Sequence, residues 1–140
     1  ATFTGLDYFD ADPQMVWIGR FNRVDGKLDI TSSTGATSAY RLAGYVSLSF
    51  VDGSRRLVVL HGEEGDMFIP FRDATCGSGS YGGGRYVPAI LNDSDTMTVD
   101  FNLALNPWCA YDEEFSCPLP PVENWLPIEI PAGERDYRPA

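Results

Sequence analysis

The stretch YVSLSFVDGSRRLVVLHGEEGDMFIPF, Tyr45 to Phe71, decides the fold. Val46, Leu48 and Phe50 alternate with Ser47 and Ser49, the period of two that gives a strand one apolar face. RLVVLH, Arg56 to His61, is β-branched and apolar enough for a well-buried neighbouring strand. Between them, Val51-Asp52-Gly53-Ser54 sets Asp-Gly between two apolar runs, a strong hairpin signal. After a turn at Gly62–Gly65, the apolar run Met67–Phe71 extends the meander.

The same turn chemistry recurs at Val24-Asp25-Gly26-Lys27, which predicts a hairpin joining Met15–Phe21 to Lys27–Ile30. In MTVDFN, Met97, Val99 and Phe101 share one face while Thr98, Asp100 and Asn102 share the other. In WLPIEI, Leu126, Ile128 and Ile130 alternate with Pro127 and Glu129; the proline, which has no N–H to donate, predicts an edge strand. No helix is expected beyond a turn near Leu103–Leu105. The expectation is an all-β fold, a single compact antiparallel barrel or sandwich with an irregular proline-rich C-terminal segment. One domain would span residues 1–140, with a meander over 1–71 and motif-rich loops and strands over 72–140.

The net charge of −10 makes phosphate backbones and anionic lipid surfaces poor partners, since the basic residues form no stripe. All of the basic residues except Lys27 are Arg, a balance that suits a salt-rich cytoplasm or a GC-rich genome. No apolar run is long enough to span a bilayer as a helix, and nothing near Ala1 reads as a signal peptide. A cytoplasmic protein is expected; a first residue other than Met leaves an extracytoplasmic life after signal-peptide removal as the alternative.

Most apparent motifs fail on context. Gly77, Gly79 and Gly82 satisfy G-x-G-x-x-G, but GRYVP after them cannot supply the helix that a dinucleotide site needs. A P-loop reading puts Arg85 and Tyr86 where lysine and a hydroxyl belong. What remains is a glycine loop flanked by Arg72 and Arg85. It could cradle an anion, or pack tightly with those arginines paired to Asp73 and Asp100. Asn92–Thr96 fails the calcium-loop spacing, because Thr98 and Ala104 fall where Gly and Glu belong; it reads as a polar hairpin turn. His61 is the sole histidine, and no Gly-x-Ser-x-Gly exists.

Cys109 and Cys117 are too widely spaced for a zinc knuckle and lack a second ligand pair. Asp112, Glu113 and Glu114 between them would raise a thiolate pKa. Buried, reduced structural thiols are expected, with a disulfide that leaves Cys76 odd as the alternative. No metal and no cofactor is expected. Pro118-x-x-Pro121 matches a polyproline ligand only formally, without a flanking basic residue. It reads better as an extended segment laid across the barrel, with Trp108 and Trp125 as apolar anchors.

Taken together, FRDATCG (Phe71–Gly77), YGGGRY (Tyr81–Tyr86), DFNLALNPWCAY (Asp100–Tyr111), CPLPPVENWLP (Cys117–Pro127) and IPAGE (Ile130–Glu134) resemble one family in their order. It is the domain-of-unknown-function 1684 family of bacteria and archaea, and GLDYFDADP near the start resembles the opening of its main domain. The likeness spans nearly the whole chain. The resemblance implies no activity; it implies that the motif residues, among them Thr75, Tyr86, Asn106, Cys109, Cys117 and Glu134, belong together. Ser80 replaces a usual threonine, Leu105 a usual tyrosine and Trp125 a frequent basic residue. Those losses weaken any polar pocket built there.

Two readings follow. In one, the chain is a non-catalytic structural or interaction module whose polar residues form an internal network and which pairs with a protein partner. In the other, Arg72, Asp73, Tyr81, Arg85, Asp100, Asn102, Tyr111, Glu123 and Asn124 bind or process a small anionic ligand at one barrel mouth.

Overall fold

The computed structural model describes residues 7–93, 95–111 and 116–136; the acidic trio Asp112, Glu113 and Glu114 lies outside them. Six strands follow a short 3-10 turn: β1 (Val16–Thr31), β2 (Thr37–Phe50), β3 (Gly53–His61), β4 (Met67–Phe71), β5 (Arg85–Leu91) and β6 (Thr96–Asp100). Each pairs antiparallel with the next, and β6 returns to β1 to close a barrel. Closure removes the edges that an open sheet of this length would expose.

The Asp52-Gly53 turn joins β2 to β3 as its chemistry requires. Gly53 sits at φ +129°, and the Asp52 carboxylate accepts from the Arg55 guanidinium at 2.5 Å. The polar turn at Asn92–Thr96 joins β5 to β6, with Asp93 Oδ1 accepting the N–H groups of Asp95 and Thr96.

The second Asp-Gly is not a hairpin. Val24-Asp25-Gly26 lies inside β1, where the register against β2 shifts between Arg23 and Gly26. The apolar runs on either side pair with the same long partner instead of with each other. Leu28 lies opposite Tyr40, and Phe21 opposite Val46. A second shift falls between Leu42 and Gly44 in β2. Bulges of this kind bend and twist a strand, which lets two long strands wrap the barrel. At that bend Gly44 adopts φ +150°, and a Cβ there would lie 2.2 Å from the Asn22 carbonyl oxygen.

One strand goes beyond the sequence reading and one further expectation changes. RYVPAIL forms β5 despite Pro88, which sits opposite Phe68. WLPIEI forms no strand: Trp125 makes one isolated parallel bridge with Arg72, and the rest of the segment is irregular.

The core gathers Phe21, Val46, Leu48, Leu57, Ile69, Val87, Met97 and Val99 from all six strands. Phe101 joins them, its ring edge-on to Phe71 at 5.0 Å and to Trp17 at 5.4 Å. Leu126, Ile130 and Ala132 from the irregular C-terminal segment complete this core. The proline run crosses the outside of the barrel. Leu119 N–H donates to Thr31 O at 3.1 Å, and the Tyr86 hydroxyl donates to Pro118 O at 2.8 Å. Trp108 is 69% exposed and Trp125 49%, so neither is the buried anchor expected of it. The Trp125 indole instead donates to Pro120 O at 2.9 Å from the surface.

Candidate functional site

Arg85 opens β5 and is fully buried. Its Nη1 donates to the carbonyl oxygens of Ala132 and, at 3.1 Å, Glu134; its Nη2 donates to Ile130 O at 2.9 Å and to Asp73 Oδ1 at 3.4 Å. Nε alone is buried without a partner among the described residues. Burial pushes the guanidinium pKa down from its ordinary value, and the Asp73 carboxylate opposes that shift. The other Asp73 oxygen accepts the Ile130 N–H at 2.6 Å and the Thr75 hydroxyl at 2.8 Å. Thr75 in turn bonds Ser80 at 2.9 Å. IPAGE thus reaches the barrel through backbone groups that one buried ion pair satisfies.

Asn124 is also fully buried. Its Oδ1 accepts the Val58 N–H at 2.8 Å, and its Nδ2 donates to Val58 O at 3.0 Å and Pro70 O at 2.7 Å. Tyr111 donates its hydroxyl to Glu134 Oε2, and Glu134 Oε1 accepts the Asn106 N–H at 2.8 Å. Burial first, and then the bond to Glu134, push the Tyr111 phenol pKa up. Asp100 Oδ1 holds Asn102 through its N–H at 3.0 Å and its Nδ2 at 2.9 Å. Asn102 then bonds the Asp12 backbone through both N–H and C=O, at 2.9 and 2.8 Å. The chain entering β1 is tied in this way to the chain leaving β6.

The Tyr81 hydroxyl approaches Cys109 Sγ at 3.8 Å, and Cys109 N–H donates to Cys117 Sγ at 3.2 Å. Both cysteines are buried as free thiols, while Cys76 is half-buried. Arg72 is half-buried and lays its guanidinium over the Trp125 ring at 5.0 Å, away from Asp100. Glu123 is exposed in the 3-10 turn Val122–Asn124. The structure therefore brings Asp73 to Arg85, and Tyr81 to the cysteines. It also brings Arg72 to the turn that holds Glu123 and Asn124, where the Arg72 N–H donates to Asn124 O at 3.1 Å, and it sets the Asp100–Asn102 pair against Asp12 instead. Among the described residues, no group of three His, Cys, Asp or Glu side chains could hold a metal ion, and no helix is long and apolar enough to cross a membrane.

Sequence reasoning missed one feature, a surface groove of about 650 Å³ beside the Gly62–Gly65 turn. Phe68 and Tyr86, with ring centroids 5.1 Å apart, belong to it, as do Leu105, bridged to Tyr86 by two backbone hydrogen bonds, and Trp108. Glu63, Glu64 and Asp66 supply the acidic wall. Its signal in the sequence is split: the acidic turn follows β3, while the apolar wall comes from the Leu105–Trp108 segment, far along the chain. A smaller cavity of about 440 Å³ lies where Phe9 and Asp12 meet Pro131 and Arg135.

The chain belongs to the family described as Protein of unknown function (DUF1684), whose model matches residues 1–135. It is similar to an uncharacterized protein of Haloarcula marismortui, a halophile, known from a solution NMR structure. The two share 40% sequence identity with a TM-score of 0.75, over 95% of this chain and 77% of that one. No functionally curated protein matches the chain. Neither the family nor the neighbour carries a catalytic assignment.

Proposed function

We propose that this protein is a non-catalytic β-barrel interaction module, a single domain of the cytoplasm, whose motif residues form an internal lock. The supporting observation is Arg85. Both of its terminal nitrogens are taken up by Asp73 and by the carbonyls of Ile130, Ala132 and Glu134, at a residue with no exposed surface. An anion could reach it only by displacing the segment it holds. Asn124, Asn102 and Glu134 follow the same rule, each answering backbone groups that the irregular chain would otherwise leave unpaired. With Arg85, Asn124 and Glu134 engaged inward, the groove beside Trp108 is an exposed face suited to recognition.

The test is Arg85→Met, read by urea unfolding together with titration of acetate and inorganic phosphate into the wild-type protein. Removing one partner of a buried pair costs about 3–5 kcal/mol, and no saturable anion binding should accompany the wild type. If Arg85→Met does not fold, Arg85→Lys, which keeps the charge but loses the fork, should fold with an intermediate loss. An Arg85→Met protein as stable as wild type, in which wild-type anion binding has vanished, would overturn the reading.

A further inference from the structure

We infer that the groove beside Trp108 binds a small organic cation, an ammonium or guanidinium group carried on an apolar body; this rests on the interaction-module reading above. Three observations carry it. The volume of about 650 Å³ falls within the span of small-ligand sites, roughly 300–1,000 Å³. Its walls are aromatic and aliphatic, and they are open to a ligand: Trp108 is 69% exposed and Leu105 50%. Exposed apolar surface that is contiguous with a concave floor marks a recognition site more often than isolated exposed residues do.

The charge selects the ligand. Glu63, Glu64 and Asp66 line one side, and no Lys, Arg or His lines the groove among the described residues. None of these three carboxylates has a side-chain hydrogen bond or an ion pair among the described residues. The ion pairs formed elsewhere on the barrel are absent here, so no basic partner neutralises these carboxylates. Phe68, Tyr86 and Trp108 in the same lining add attraction of the same sign, because the ring quadrupole is negative over its face. A cation with an apolar body satisfies both walls at once. A carboxylate or phosphate would be repelled by the acidic side.

Two-dimensional backbone-amide NMR with phenethylammonium as the probe tests this, with phenylacetate as the ligand of opposite charge. Saturable shifts confined to Gly62–Phe68, Tyr86, Leu105 and Trp108, and absent with phenylacetate, are expected. Trp108→Ala, at an exposed position, should weaken the fit by about fivefold, the size of one exposed cation–π contact. Glu63→Gln with Glu64→Gln should weaken it further without altering the fold. Equal shifts with phenylacetate would reduce the groove to an apolar patch. Shifts spread over the whole acidic surface would mean charge attraction without a site. Concentration-dependent self-association that broadens these same signals would make a second copy of the chain the occupant. Each of these outcomes, or the absence of saturable shifts, overturns the proposal. The Arg85→Met result is independent of all of them.

Discussion

The Asn124 side chain sits where Val58 and Pro70 should pair across β3 and β4 but cannot. The ladder between these strands runs through Leu60–Phe68 and His61–Met67, and continuing it two residues past Leu60–Phe68 would bring Pro70 to Val58. Pro70 has no N–H to give, so the strands separate. The Asn124 amide fills the gap, accepting from Val58 N–H and donating to the carbonyls of Val58 and Pro70. Asn124→Ala leaves three buried backbone groups unpaired. It should cost about 2–4 kcal/mol, at about 1–3 per buried unsatisfied group with partial relaxation. Asn124→Asp should be comparably damaging, because a carboxylate would meet two carbonyl oxygens. Urea unfolding measures both; a loss below about 1 kcal/mol for each would show the amide to be dispensable.

Glu134 and Tyr111 form the second joint of the lock. Replacing Glu134 by Gln removes a charged acceptor from the Tyr111 hydroxyl and the Asn106 N–H. Charged hydrogen bonds contribute about 1.5–3 kcal/mol each, so Glu134→Gln and Tyr111→Phe should both destabilise and should not add. A double-mutant cycle by thermal or urea unfolding should return a coupling of about 1–2 kcal/mol. Strict additivity would separate the two residues energetically.

The central meander was legible because Val46–Phe50, Arg56–His61 and Met67–Phe71 each carry their own period and are bounded by their own turn residues. What failed was local punctuation that tertiary pairing overrides. Asp25-Gly26 matches the Asp52-Gly53 hairpin in sequence, yet it lies within a strand, because Thr37–Ser47 of one long strand partners both of its flanks. Pro88 disguised β5, and the alternation of Leu126, Ile128 and Ile130 imitated a strand. That segment gets its backbone partners from side chains, as Ile130 N–H does from Asp73. The motif residues were found as a set, but their partners are backbone groups scattered through the chain. Pairing of that kind leaves no spacing to read.

The bend where those two long strands cross predicts a severe local effect. A Cβ at Gly44 would collide with the Asn22 carbonyl and the Arg23 Cα, at 2.2 and 3.0 Å, in a backbone region that side chains rarely adopt. Gly44→Val should therefore cost several kcal/mol, about 3 or more, and reduce the folded yield. Gly26 is the contrast, since a Cβ there would meet nothing within 4 Å. It should accept Ala at a cost below about 1 kcal/mol. If circular dichroism melts showed the two substitutions to be equivalent, close packing would not be what shapes the bend.

Alkali should destabilise the fold through the buried Cys117 thiol and the Tyr81 and Tyr86 phenols. Burial pushes the Cys117 thiol from 9.0 up to about 11, and Tyr81 from 10.0 up to about 12. Burial also raises the Tyr86 phenol well above its usual range. Each of these groups is held neutral in the fold and ionises more easily in the unfolded chain. Their contribution to stability is therefore complete below about pH 9 and is lost as pH rises through about 11 to 12. Urea midpoints should be level between about pH 7 and 8.5 and should fall steeply above that. Cys117→Ala should flatten the first part of the fall, and Tyr81→Phe the later part. At about pH 8, iodoacetamide should modify half-buried Cys76 ahead of buried Cys109 and Cys117, since a thiol out of solvent is poorly accessible to the reagent and the Cys117 thiol is also held neutral. Native alkylation of all three at one rate would place the cysteines outside the barrel's protection, and the alkaline transition would then need another origin.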